Sequence, residues 1–242
     1  MDKEKIRLYE ETQQLVVKDN LFLRQSRAQL SVVEMKLLIY LISKVKADDT
    51  KMNPITISVK DFCKITNVEA KGNNYSKVKD SIKSLKLKTW WIELDKNRDL
   101  LYSWLDYAII SKNTGNIELA LSQYLTPYIT QLKSNFTRYR LSEILNLSSK
   151  HAIKIYELSA SYMYKGEFTI SLDELRHYLG IENKYGDWRD FRKSVIEPSV
   201  KQINDNTCIH IEYEPIKNGK KIEEIKIKVN EAMGYQLSLL DE

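Results

Sequence analysis

Two segments of the sequence concentrate side chains that can bind the phosphates and base edges of a nucleic acid. Segment 71–88 holds six lysines and a single acid, Asp80. Segment 187–193, DWRDFRK, holds two arginines and a lysine. Lysine ammonium groups act on phosphates as point charges, whereas an arginine guanidinium can pair bidentately with O6 and N7 of guanine. The two patterns favour contact with a duplex, the first segment through phosphates and the second through bases.

The elements that must position these side chains occur in the same order in both halves of the chain. Residues 55–62, ITISVKDF, match 168–175, FTISLDEL, and 91–93, WIE, match 210–212, HIE. Each half predicts a helix, a short strand, a capped short helix, a turn, a basic helix and a β-hairpin. This is the element order of a winged helix, in which the basic helix lies in the major groove and the hairpin is the wing.

Local signals support individual elements of this repeat. Ser31 and Glu34 have the spacing of a capping box before an apolar, amphipathic helix. Pro198 lies inside the second basic helix, 188–204, and is expected to bend that helix or to end its first segment. Trp188 and Phe191 keep helical step with Val195, so we expect these two rings mainly in the core.

The repeat predicts an α+β protein with two tandem winged-helix domains. We expect an N-terminal domain over 1–133 and a linker or connecting helix over 134–148. A C-terminal domain over 149–232 and a tail over 233–242 complete the chain.

The candidate DNA contacts lie on the two basic helices, in the turn before the second one and at the tips of the two hairpins. Arg189 and Arg192 are the expected base readers, although Arg189 could instead pair with Asp187 or Asp190. The complete set is Tyr75, Ser76, Lys77, Lys79, Lys83, Lys96, Arg98, Lys184, Tyr185, Trp188, Arg189, Arg192, Lys193, Lys217 and Lys220.

Composition and missing motifs argue against most enzyme classes. The chain has only 7 glycines and contains no Walker loop for ATP. Its two cysteines cannot form a disulfide scaffold, and its three histidines lack metal-binding spacing. No apolar run is long enough to span a membrane, and the N-terminus lacks a signal peptide. We therefore expect no catalytic residues, no metal, no cofactor and a cytoplasmic location.

Two signatures in the chain resemble a known family. Residues 20–24, NLFLR, followed by Leu30-Ser31-x-x-Glu34-x-Lys36 resemble the N-terminal signature of the iteron-binding, theta-type plasmid replication initiators of the RepB, RepE and Pi type. Residues 190–204 resemble their second signature, a recognition helix that runs into an EP-x-V-x-x-IN segment. The resemblance covers roughly residues 20–230.

The resemblance implies two winged-helix domains that bind repeated sites, called iterons, at a plasmid origin. It implies monomers that open the origin and homodimers that repress the protein's own gene. The implied partners are duplex DNA, the host initiator DnaA and the helicase DnaB. The tail residues Gln236, Leu237, Leu239 and Leu240 resemble a peptide that docks on the polymerase sliding clamp.

Three other interpretations remain open on the sequence alone. A transcriptional repressor could use the same folds, and an inverted repeat beside the gene instead of direct repeats would favour it. A nicking-type replication enzyme would need a tyrosine nucleophile, and a chain with 15 tyrosines leaves this interpretation open. A protein-interaction module would bind no DNA at all.

Overall fold

The computed structural model describes residues 3–25, 30–65, 74–111 and 113–232. The chain forms two compact units. Unit 1 takes its residues from Met1–Asp19 and Leu30–Leu145. Unit 2 takes its residues from Asn20–Gln29 and Asn146–Glu242. The exact limits of the two winged-helix domains remain a prediction.

Unit 1 combines helices with short antiparallel strands. The described helices of this unit are α1 (Lys3–Thr12), α3 (Val32–Ser43), α4 (Val59–Ile65), α5 (Asn74–Leu87), α6 (Thr126–Ile129) and α7 (Leu141–Leu145). Its strands are β1 (Leu15–Asp19), β2 (Ile55–Ser58), β3 (Thr89–Asp95), β4 (Arg98–Ser103), β5 (Leu105–Ser111), β6 (Asn116–Leu121) and β7 (Phe136–Arg140). The helix α2 (Asn20–Gln25) belongs to unit 2.

Helix α3 begins with the capping box that the sequence predicts. The Ser31 hydroxyl accepts from the Glu34 backbone N–H, and the Glu34 carboxylate accepts from the Ser31 backbone N–H at 2.6 Å. The helix is buried on all sides from Glu34 to Ser43, so the expected exposed polar face is absent from this described segment. Its sequence is almost entirely apolar, and other elements of the unit pack around it.

The strands of unit 1 show where its wing lies. A three-stranded sheet has the order β2-β6-β5, whereas β3 and β4 form a separate hairpin. The sequence match of 91–93 to 210–212 places the wing at β3–β4, and this assignment is wrong. By sheet order, the hairpin β5–β6 occupies the wing position, and β3–β4 is an additional hairpin inserted after α5.

Unit 2 contains the second copy of the same fold. Its described helices are α2, α8 (Lys150–Ala160), α9 (Leu172–Leu179), α10 (Trp188–Phe191) and α11 (Glu197–Asn206). Its strands are β8 (Glu167–Ser171), β9 (Ile209–Asn218) and β10 (Lys221–Glu231), in the sheet order β8-β10-β9. This order is equivalent to β2-β6-β5 of unit 1, with β10 in the centre as β6 is, so the structure confirms the internal repeat.

The predicted helix 188–204 is one continuous helix, 188–206, that contains a wide turn. Between α10 and α11, the segment Arg192–Ile196 is a π-helix, and the Glu197 N–H donates to the Arg192 carbonyl. Pro198 follows in the first turn of α11. Because proline has no N–H and its ring crowds the carbonyl four residues earlier, a wide turn accommodates it without a break. The structure thus shows a π segment where the sequence predicts a bend or an end.

Two segments differ from the predicted organisation. Residues 134–148, expected as a linker or connecting helix, contain β7 and α7, and β7 pairs with β1 across Val16 and Tyr139. Helix α2 lies between elements of unit 1 in sequence but packs in unit 2. There the Arg24 guanidinium donates to the Ser161 carbonyl at 2.9 Å and lies 4.0 Å over the Tyr162 ring.

Glu34 is a buried carboxylate that ties α3 to the end of α5. It forms an ion pair with Lys88, and its side chain is 3% exposed. Burial alone would raise the pKa of Glu34, but hydrogen bonds from Lys88, Ser84 and Ser31 together hold it below its ordinary value of 4.5. The ionised form therefore contributes stability that is complete above that value and is lost as pH falls through the lower folded pKa.

We expect Glu34→Gln to destabilise α3 by about 1–3 kcal/mol at neutral pH, because the Lys88 ammonium loses its charged partner. Amide hydrogen exchange of α3, measured from neutral to acidic pH, checks this. The difference from the unmodified protein should shrink as pH falls below the usual range of a glutamate. Asp80→Asn, which removes an exposed carboxylate bonded to Ser76 in the same unit, is the control and should change little. A difference that is independent of pH would contradict the account.

Candidate nucleic-acid interface

The start of the long helix 188–206 presents basic side chains to solvent. Asp187 is the N-cap, and its carboxylate accepts from the Arg189 backbone N–H at 2.6 Å. The Arg189 and Lys193 side chains are exposed. Among the described residues, Arg189 has no ion-pair partner, so neither Asp187 nor Asp190 holds its guanidinium. This helix start can therefore offer an unengaged guanidinium to a base edge.

Arg192, the other expected base reader, is already engaged within the protein. Its Nε lies 3.3 Å from the Glu197 carboxylate, in a half-exposed ion pair across the π segment. The Tyr213 hydroxyl of β9 donates to the same carboxylate at 3.5 Å. Burial raises the pKa of Tyr213, and the negative charge of Glu197 adds to this effect. This Nε makes no hydrogen bond among the described residues, so Glu197 attracts the Arg192 guanidinium by charge alone. The sequence does not reveal the pair, because the two residues are five apart, outside the usual helical pairing.

The aromatic residues of the helix start form part of the core. Phe191 is completely buried and Val195 is 1% exposed, as predicted. Trp188 is partly exposed, and its ring makes edge contacts with Phe191 and with Tyr213. The Trp188 contacts connect the helix to the wing strand β9.

The turn before the helix contains two further candidates. Lys184 is exposed, and its backbone N–H donates to the Ile181 carbonyl at 2.9 Å. Tyr185 has a positive φ of 54°. Its carbonyl accepts from Arg176 of α9, a buried residue that is missing from the predicted set. An arginine on a short capped helix gives no sequence signal of burial, because most such arginines are solvated.

The wing of unit 2 ends in the predicted basic tip. Lys217 and Lys220 are exposed, and Gly219 between them has the positive φ of 62° that the tight turn requires. Asn218 donates to the Glu223 carboxylate at 2.8 Å across the hairpin. A groove of about 780 Å³ separates this wing from α9 and the turn at Gly186.

In unit 1 the described candidates on α5 all lie on the solvent side. Ser76, Lys77, Lys79 and Lys83 are exposed, while Val78, Ile82 and Leu85 are buried on the opposite face. Lys86 donates to the Leu105 carbonyl at 2.7 Å, and Lys88 pairs with Glu34, so these two lysines serve the fold.

The remaining candidates of unit 1 and of the tail are placed differently. Lys96 and Arg98 are exposed at the turn of the inserted hairpin β3–β4, not on the wing. The side chain of Tyr75 lies outside the described residues. The predicted clamp-docking residues Gln236, Leu237, Leu239 and Leu240 also lie outside them.

The described residues contain neither a cluster of metal ligands nor a membrane-spanning helix. Within them, no group of three His, Cys, Asp or Glu side chains is arranged to hold a metal ion. His177 bonds to the Glu182 carboxylate at 2.7 Å on the surface. In the same part of the chain, no helix is long and apolar enough to cross a bilayer.

Two family models match the chain and together cover most of its length. The model described as "Initiator Replication protein, WH1" matches residues 15–160, and "Initiator Rep protein, WH2" matches residues 171–229. The chain belongs to the family of initiator replication proteins. This confirms the family that the two sequence signatures indicate, and it confirms the two winged-helix domains.

Similar proteins agree with this membership. A "Replication initiation protein" of Escherichia coli is 26% identical over 190 residues, which are 74% of this chain and 58% of that protein. An "Uncharacterized 27.6 kDa protein" of Escherichia coli is 27% identical over 52% of this chain and 54% of its own length. The chain thus spans a little over half the length of these two curated relatives.

A solved structure has the same fold. The "Crystal structure of Pi initiator protein in complex with iteron DNA" matches with a TM-score of 0.75 at 20% identity, over 90% of this chain and 97% of that one.

We expect Asp187→Ala to destabilise the start of the long helix by about 0.5–2 kcal/mol, because the N-cap carboxylate is lost. Faster amide exchange at Arg189, Asp190 and Phe191 would show it. Asp187→Asn keeps a side-chain oxygen that can accept the same hydrogen bond and serves as the matched control. Equal exchange rates in Asp187→Ala and the unmodified protein would contradict the assignment of this cap.

Proposed function

We propose that this initiator starts plasmid replication by binding repeated duplex sites, iterons, at the origin through both of its winged-helix units. The observation that carries the proposal is the repeated placement of a basic helix with its charged face exposed and its apolar face buried. In unit 1 the exposed side chains are lysines, which suit phosphate contact, and in unit 2 Arg189 suits base contact. The Pi initiator, which has the same fold, was crystallised in complex with iteron DNA, and this supports the same function here.

The mechanism we propose is not catalytic. Phosphate and groove contacts over several repeats supply binding free energy, and part of this free energy bends and destabilises an adjacent A·T-rich segment. The host initiator DnaA and the helicase DnaB are then recruited by protein contacts. Binding of a protein of this kind takes place in the bacterial cytoplasm.

The direct test is a titration of this protein with duplexes from the DNA that flanks its own gene, against a scrambled duplex of equal length. We expect Arg189→Ala to lose about 1–3 kcal/mol of binding free energy. This loss should depend on the identity of a single base pair in the site. Lys77→Ala should weaken binding to every sequence alike and lower the salt slope by about one. Fluorescence anisotropy at several salt concentrations separates these two effects.

Three results, the first from this titration and the other two from further assays of the flanking DNA, would overturn the proposal. Equal affinity of the unmodified protein for flanking and scrambled DNA would exclude sequence-specific initiation. A single inverted repeat as the preferred site would favour a repressor. A covalent tyrosyl–DNA product with Mg²⁺ or Mn²⁺ would show a nicking enzyme.

We further propose that the protein represses its own gene as a homodimer, formed through the edge strand β5. Only β6 pairs with β5 within the described residues, so the other edge of this strand has no strand partner there. Tyr107 and Ile109 on this strand are 39% and 54% exposed. An apolar edge strand of this kind readily pairs with a second chain.

Ile109→Lys should shift the protein towards the monomer, because a charge on this strand opposes strand pairing. Sedimentation velocity over a range of protein concentrations measures the shift. Tyr9→Lys replaces another exposed large residue of unit 1, on helix α1 instead of strand β5, and should leave the association constant unchanged. Equal association of Ile109→Lys and the unmodified protein would exclude β5 as the interface.

A further inference from the structure

The turn that leads into the long helix has a backbone conformation that its sequence does not favour. Tyr185 has a φ of 54°, in the left-handed region that non-glycine residues rarely adopt. Gly186, the next residue, could adopt that region freely but does not have a positive φ. A strained conformation of this kind persists only where surrounding contacts hold it.

The contacts that hold the turn come from one buried guanidinium. Arg176 of α9 is 8% exposed. Its Nε donates to the Tyr185 carbonyl at 3.2 Å, and a terminal nitrogen donates to the Gly186 carbonyl at 3.3 Å. The other terminal nitrogen donates to the Asp173 carboxylate at 3.1 Å. Asp173 is 97% exposed, so this third contact is screened by water and adds little.

The same guanidinium also contacts the first turn of the long helix. Its central carbon lies 4.9 Å from the centre of the Phe191 ring, which is fully buried. Arg176 therefore joins the turn and the helix start, the two parts that set the direction of Arg189. A lysine could not replace it, because an ammonium lacks the planar fork that reaches two carbonyls and covers a ring.

We propose that Arg176 is a positioning residue for base recognition: it holds Tyr185 in its left-handed conformation and thereby fixes the start of the long helix, so that Arg189 meets the base edge. Arg176 itself does not touch DNA in this account. The proposal rests on the proposed function, since it assigns the residue that makes base reading precise.

The test compares Arg176→Met and Arg176→Lys with the unmodified protein on flanking and scrambled duplexes. We expect Arg176→Met to reduce the preference for the flanking duplex about tenfold or more, since two carbonyls lose their donor. Arg176→Lys should lose an intermediate part of the preference. Affinity for the scrambled duplex should stay near that of the unmodified protein, because the exposed lysines are unchanged. A general loss of folding would weaken binding to both duplexes alike.

Arg24→Met is the matched control. It removes an arginine of the same unit that also donates to a backbone carbonyl and covers an aromatic ring, but at Ser161 and Tyr162. This variant should lose stability and keep the preference for the flanking duplex.

A rescue experiment separates positioning from mere packing. Tyr185→Gly adopts a positive φ without strain, so it should restore part of the lost preference in the Arg176→Met background. In the unmodified background the same change should give no gain. If Tyr185→Gly changes the preference by the same factor in both backgrounds, or if Arg176→Met keeps the full preference, the proposal is wrong.

Amide exchange distinguishes failure of this proposal from failure of the proposed function. Without any DNA, Arg176→Met should speed exchange at residues 187–191, and Tyr185→Gly should reverse part of the change. If this occurs while the unmodified protein shows no preference for flanking DNA, Arg176 does hold the turn but the proposed DNA function is wrong. Unchanged exchange in Arg176→Met overturns the positioning role whatever the DNA result.

Discussion

The packing of Phe191 is the interaction on which the described interface of unit 2 depends. Its fully buried ring meets the Arg176 guanidinium on one side and the edge of Trp188 on another. Trp188 in turn contacts Tyr213 of the wing strand β9. One apolar side chain therefore links the short helix, the turn, the long helix and the wing. The two charged residues that precede it, Arg189 and Asp190, are exposed because the helical step turns them away from the core.

The two units share one architecture but differ in the basic side chains that their helices expose. Both order their sheets alike, with the third strand between the first and the second. Unit 1 adds the hairpin β3–β4 and carries lysines on its basic helix, whereas unit 2 has an arginine at the helix start. A lysine ammonium can neutralise a phosphate in many geometries, whereas an arginine side chain must be held in one position to pair with a base. In unit 2, Arg176 and Asp187 both hold the start of the helix that carries this arginine, in line with the proposed positioning role.

Local signals in the sequence predict much of this structure, but they do not reveal contacts between segments that are distant in the chain. The capping box at Ser31, the capped short helix of unit 2, the wing turn at Gly219 and the buried positions Phe191 and Val195 follow from short-range spacing. The structure confirms them. The pairing of β1 with β7 joins segments over a hundred residues apart, so no local pattern reveals it. The wing of unit 1 is misassigned because an inserted hairpin resembles a wing in sequence. The ion pair of Arg192 with Glu197 depends on a π segment, which changes the usual helical spacing.

The proposed function requires that both basic helices enter a DNA duplex at repeated sites. Hydroxyl-radical footprinting of the DNA flanking the gene, with saturating protein, tests this requirement. We expect a protected pattern that recurs at each direct repeat, with two contact regions within every repeat, one for each unit. Protection of a single region in each repeat, or uniform protection without any repeat, would contradict it.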